Sequence, residues 1–119
     1  MSITWDEAIA RFRELGNDTD ASRTYIHLLE GARARWESVV AVHPWRLDVL
    51  VLTPRTGATH DVQAEYRVRD GEPIVIFRLG PTGSVDGGPV VTGDVCRPET
   101  APAVLDAFLL QIAAPVAPA

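Results

Sequence analysis

The sharpest alternation of apolar and polar positions in the chain runs over 61–79 and is interrupted once, by Asp70-Gly71. Asp-Gly between two alternating runs predicts a β-hairpin with a type I′ turn, because that turn needs positive φ at both central positions and these residues tolerate it. A two-residue turn also sets the register, from Arg69 facing Glu72 back to Val62 facing Leu79. One face then collects Val62 with Leu79, Ala64 with Phe77, Tyr66 with Val75 and Val68 with Pro73, apolar at every rung. The other collects Gln63 with Arg78, Glu65 with Ile76, Arg67 with Ile74 and Arg69 with Glu72. A slip of one residue would bury Gln63, Glu65 and Arg67, so the register is stringent. Pro73 has no N–H, which predicts that the second strand is an edge or is irregular near the turn.

Elsewhere the period changes. Trp5, Ala8, Ile9, Phe12 and Leu15 recur at helical spacing behind Thr4 as N-cap and Glu7 as its capping-box partner, with Gly16 as the stop. After a polar turn at 17–20, the segment 21–35 reads two ways. Ala21, Tyr25, Leu28, Leu29 and Ala32 make a helical face capped by Asp20, whereas 24–29 also suits a buried strand. Length and the Ala, Arg, Leu and Glu content favour the helix, against a cost of about 1 kcal/mol for Gly31. His27, inside this apolar run, is expected as a hydrogen-bonded core residue.

Two strands are predicted at 36–42 and 47–53, around a turn at His43-Pro44-Trp45; both are apolar on both faces, as central strands are. A loop at 54–60 feeds the hairpin. The segment 80–93 holds five of the nine glycines and two prolines, which makes it a long loop and a candidate lid or partner-binding segment. A short edge strand at 90–96 follows it. Thr100 then caps a last helix, with Pro102 in its first turn and Val104, Leu105, Phe108, Leu109 and Ile112 on one face. Short connections make sequential strands antiparallel. The expected architecture is α+β, two-layer: an antiparallel four- to five-stranded β-meander with N- and C-terminal helices packed on one face. Residues 1–113 form one domain and 114–119 a flexible tail.

Composition narrows the function classes. A net charge of −5 argues against nucleic acid as a partner. All eleven basic residues are arginine, and the lack of lysine excludes Schiff-base chemistry, a pyridoxal-phosphate enzyme and a Walker-type phosphate loop. A single cysteine, no signal peptide and no long apolar run point to a reducing cytoplasm and away from a membrane.

Catalytic spacing is missing. His27, His43 and His60 sit in no metal-ligand motif, so no metal and no cofactor are expected. Cys96 next to Arg97 has two readings: a thiol activated by the guanidinium, with His43 or His60 as base, or a small buried hydrophobe. Asp48, polar inside an apolar strand and near Arg46, marks either a solvent face or a paired buried charge. Glu65, beside Arg67 and Arg78, reads as a solvated cross-strand partner. The glycine-rich stretches precede no helix start that could cradle phosphate.

One pattern is left unassigned to the core: Ile74 and Ile76 interleaved with Arg67 and Arg78 on the outer hairpin face, with Trp36 and Trp45 at the same edge. Arginine mixed with large apolar groups is typical of interface centres. The alternative is that helix 21–35 covers the isoleucines. Two function classes follow. The first is a small acidic cytoplasmic interaction module, binding a protein partner or a second copy through its sheet face. Small secretion chaperones and toxin-immunity proteins are similar in size, charge and layout. The second is a small-molecule-binding domain or minor enzyme, with a pocket near His43, Trp45, His60 and Cys96.

Overall fold

The computed structural model describes residues 4–15, 19–46, 49–82 and 90–116, apart from the side chains of Leu15, Trp45 and Arg46. Gly16, Asp48 and residues 83–89 of the glycine-rich segment lie outside the described residues. The elements are α1 (Trp5–Leu15), α2 (Asp20–Trp36), β1 (Val40–Arg46), β2 (Val49–Pro54), β3 (His60–Arg69), β4 (Glu72–Pro81), β5 (Thr92–Cys96) and α3 (Ala101–Leu109). All neighbouring strands pair antiparallel in the order β1-β2-β3-β4-β5, an open meander. The helices cover one face, so the fold is α+β in two layers.

Local chemistry explains each start. Thr4 Oγ1 accepts the Glu7 amide at 3.0 Å while Glu7 Oε1 accepts the Thr4 amide at 3.4 Å, the reciprocal capping box. The 21–35 segment is helical, one residue longer at each end than its apolar face suggested. Its N-cap is Thr19, not Asp20: Thr19 Oγ1 accepts the Ser22 amide at 3.2 Å. Thr100 occupies the N-cap position of α3, but its hydroxyl makes no capping bond and donates back to the Arg97 carbonyl at 3.1 Å.

The hairpin has the anticipated register at every rung from Val62↔Leu79 to Arg69↔Glu72, and the pairing continues to His60↔Pro81. Asp70 and Gly71 both take positive φ, 53° and 78°. Its tip runs past the rest of the sheet, because β2 pairing ends at Val49↔Glu65 and β5 pairing at Val75↔Cys96. Val68, expected on the buried face, is therefore 63% exposed. Pro73 is explained by the same overhang: β4 is an interior strand, yet at Pro73 it has only β3 beside it, because β5 pairing ends at Val75.

His43-Pro44-Trp45 is not a turn. All three belong to β1, which starts at Val40 because Trp36 closes α2, and the register shifts between Pro44 and Arg46. The mixed apolar pattern at 36–42 arises because helix end and strand start both bury their side chains.

Between the layers lie Trp5, Phe12, Tyr25, Trp36 and Phe77, all fully buried, with Leu28, Leu29, Leu50, Leu52, Leu105 and Leu109. Phe12 and Tyr25 rings sit 5.0 Å apart and Phe77 and Phe108 5.7 Å apart. Polar atoms entering this layer are satisfied across it. The Tyr66 amide donates to the Tyr25 hydroxyl at 2.7 Å, and Trp5 Nε1–H to the Val40 carbonyl at 2.9 Å. Trp36 Nε1–H donates to Asp106 Oδ1 at 2.8 Å, while Asp106 Oδ2 meets Arg35 at 2.6 Å, joining α2 to α3. Past α3 the chain returns to α2, where the Val116 amide donates to the Arg35 carbonyl at 2.9 Å.

Candidate functional site

Alternation along five paired strands sends Val40, Val42, Leu50, Leu52, Val62, Ala64, Val75 and Phe77 to the helices, and their neighbours to the opposite face. Among the described residues no helix lies on that opposite face. The pairing sorts it into cross-strand rows: His43, Val51, Gln63, Arg78 and Gly93 in one, and Val49, Glu65, Ile76 and Val95 in the next. Arg67 and Ile74 follow toward the hairpin tip.

This open face is less wet than its position implies. Along β3, Asp61, Gln63 and Glu65 are only 4%, 5% and 7% exposed, and Val51 on β2 is buried with them. Glu65, expected to be solvated, is instead enclosed by two arginines: Arg67 Nε donates to its Oε2, and Arg78 lies 3.3 Å from its Oε1. β3 is the central strand, so a carboxylate there has side chains on both flanks, and long arginine stems fold across it. Burial pushes the Glu65 carboxyl up, but hydrogen bonds and charge from the two guanidiniums outweigh that and hold it below the usual glutamate range. Ile74 and Ile76 are partly buried beside this cluster. The four residues marked by sequence, Arg67, Ile74, Ile76 and Arg78, are thus assembled on one surface and joined by Glu65.

The proposed ligand set is not assembled. β1 and β5 are opposite edges of the sheet, four strand spacings apart, or about 19 Å at the usual 4.8 Å spacing. His43 lies on β1 and on the open face, whereas Cys96 lies on β5 and packs on the helical side. His60 begins β3, its Nδ1 3.0 Å from Thr59 Oγ1. The Trp45 side chain falls outside the described residues. His27 is exposed on α2, not a core histidine, because the helix turns it away from the Tyr25, Leu28 and Leu29 stripe.

Cys96 does not have the character of an activated thiol. Burial pushes it up, the Asp94 carboxylate adds to this, and only a hydrogen bond with Thr100 opposes them. Arg97 instead approaches Glu72, at 3.8 Å. Among the described residues no group of three or more His, Cys, Asp or Glu side chains is placed to hold a metal ion, and no helix is long and apolar enough to cross a membrane. A groove of about 340 Å³ runs between α2 and α3, floored by Leu28, Ala32 and Pro102 with His27 at its rim.

Sequence reasoning placed Gln63 on the outer hairpin face but missed the contribution of His43, Val51 and Asp61 to it. The signal was present: polar residues on every second position of a strand that has two strand neighbours. No protein-family model, curated protein or solved structure matches the chain.

Proposed function

We propose that the protein is a small cytoplasmic interaction module that binds a protein partner through the open face of its sheet. The observation that carries this reading is the Arg67–Glu65–Arg78 cluster, in which one buried carboxylate organises two arginines beside Ile74 and Ile76. An arginine already held by a neighbour loses less side-chain freedom on binding, so its contacts cost less to make. The cluster carries two positive charges and one negative in a chain of net charge −5, which favours a partner with an apolar patch and an acidic rim. Large apolar groups among arginines, with lysine absent, is the composition of interface centres. Secretion chaperones and toxin-immunity proteins are the kinds of module that match this layout, and the lone Cys96 stays reduced in such a compartment.

The test is capture of partners by crosslinking, identification of one by mass spectrometry, and titration of that purified partner. Ile74→Asp combined with Ile76→Asp is expected to weaken binding by about a thousandfold, roughly two hot-spot truncations. His60→Ala and Cys96→Ser leave it unchanged. The reverse pattern refutes the reading and returns attention to a small-molecule site.

A further inference from the structure

We infer that the open edge of β5 pairs with the β5 of a second copy of this chain, making a closed two-fold dimer whose sheet runs through both copies. The inference rests on the two sheet edges being unlike, and it is independent of what binds the open face.

The hairpin fixes which backbone groups look outward. A two-residue turn makes Arg69↔Glu72 a hydrogen-bonded pair, so Ile74, Ile76 and Arg78 direct their N–H and C=O groups at β3, and Val75, Phe77 and Leu79 direct theirs at β5. Their partners Cys96, Asp94 and Thr92 bond inward, which leaves Gly93 and Val95 facing the edge. Carried across β3 and β2, the same alternation leaves Val40, Val42 and Pro44 facing outward from β1.

On β1 that row is interrupted at both ends: the Val40 carbonyl accepts Trp5 Nε1–H from α1, Pro44 has no N–H, and the register shifts after it. Among the described residues nothing comparable covers β5. It is flanked instead by exposed valines: Val90, Val91 and Val95 are 52%, 62% and 48% exposed, half of the large exposed hydrophobic residues among those described. Val95 continues the Ile76 row, so the apolar strip of the open face runs to this edge and stops there. Among the described residues the one guard is Asp94, whose Oδ1 accepts the Val95 amide at 2.8 Å. An exposed carboxylate is easily displaced by a strand carbonyl, and it discourages pairing without preventing it.

A two-fold axis normal to the sheet keeps the faces of both copies aligned only if opposing residue numbers have the same parity. Asp94 opposite its own copy would set two carboxylates face to face, which is penalised. The neighbouring register puts Val95 opposite Val95, where each donates to the other's carbonyl, and Asp94 opposite Cys96. The valine pair then joins the two Ile76 rows into one apolar strip. Because the outward row of β1 is interrupted at Val40 and Pro44, β1 is the poorer edge for pairing, and association ends at two copies without growing into a filament.

Sedimentation equilibrium on the full chain from about 1 to 200 µM, a span suited to a micromolar dimer, is expected to show a concentration-dependent dimer. Val95→Lys gives a monomer throughout with its melting curve unchanged. Asp94→Ala, which frees the Val95 amide and removes the charge, tightens the dimer about tenfold. Should Val95→Lys not fold, Val95→Glu, which likewise sets two like charges opposite one another, carries the same expectation. Val95→Cys in a Cys96→Ser background forms an intermolecular disulfide on mild oxidation, since hydrogen-bonded pairs bring Cα atoms to about 5.5 Å. Wild type and Asp94→Ala both monomeric at the highest concentration, a dimer indifferent to the charged variants at Val95, or open-ended oligomers would each overturn the inference.

Discussion

Removing the Asp106 carboxylate tests how the helical layer is held together. Trp36 is fully buried, and its indole N–H has Asp106 Oδ1 at 2.8 Å as acceptor. In Asp106→Ala that buried donor loses its acceptor, a change that costs about 1–3 kcal/mol. The Arg35 ion pair at 2.6 Å is lost as well, but both side chains are partly exposed, 45% and 30%, so it adds at most about 1 kcal/mol. The total is about 2–3 kcal/mol, carried mainly by the indole and not by the charge. Asp106→Asn separates the two: its side-chain carbonyl can still accept from Trp36, so only the ionic part, up to about 1 kcal/mol, is lost. The assay is equilibrium urea unfolding followed by far-ultraviolet circular dichroism. With a slope of about 1–3 kcal/mol per molar, the alanine variant's midpoint falls by about 1–2 M and the asparagine variant's by less than half as much. Equal losses in the two variants, or an alanine variant within about 0.5 kcal/mol of wild type, a shift typical of a neutral surface change, would refute the assignment.

Two further outcomes follow from the titrating groups. The folded-state Glu65 carboxyl is held below its unfolded value, so its contribution is complete above the ordinary glutamate range and disappears as pH falls through the lowered value; urea midpoints measured from pH 7 to pH 3 should fall less steeply for Glu65→Gln than for wild type. With its thiol pushed up by burial, Cys96 should react with iodoacetamide at neutral pH more slowly than a cysteine in a short peptide, and faster labelling than the peptide would show that the site is not as described.

What could be read from sequence was what depends on local periodicity and turn chemistry. Asp70-Gly71 set the eight rungs from Val62↔Leu79 to Arg69↔Glu72 because a two-residue turn leaves no freedom in register. The Thr4–Glu7 box and the α1 stripe were legible for the same reason. The failures arose where neighbours outside the segment decide. Glu65 looked solvated because its own strand shows nothing of the enclosure given by Arg78 from β4. Pro44 looked like a turn residue because the sequence does not reveal that β1 is an edge, where a strand tolerates proline. His27 sits in an apolar run, but the turn of α2 places it opposite the buried stripe. The ligand set at His43, His60 and Cys96 depended on which loops share an end and which residues share a face, and a five-strand meander separates its first strand from its last.

The indole of Trp5 on the Val40 carbonyl also has a consequence in time. α1 is synthesised before β1, so the group that closes this side of the sheet is already on hand when the strand emerges from the ribosome. Each later strand pairs with the one just made, and up to β4 the connections are short enough that little chain entropy is lost in waiting. The growing sheet therefore exposes a single unpaired flank at every stage, always the newest strand, and that moving flank comes to rest on β5.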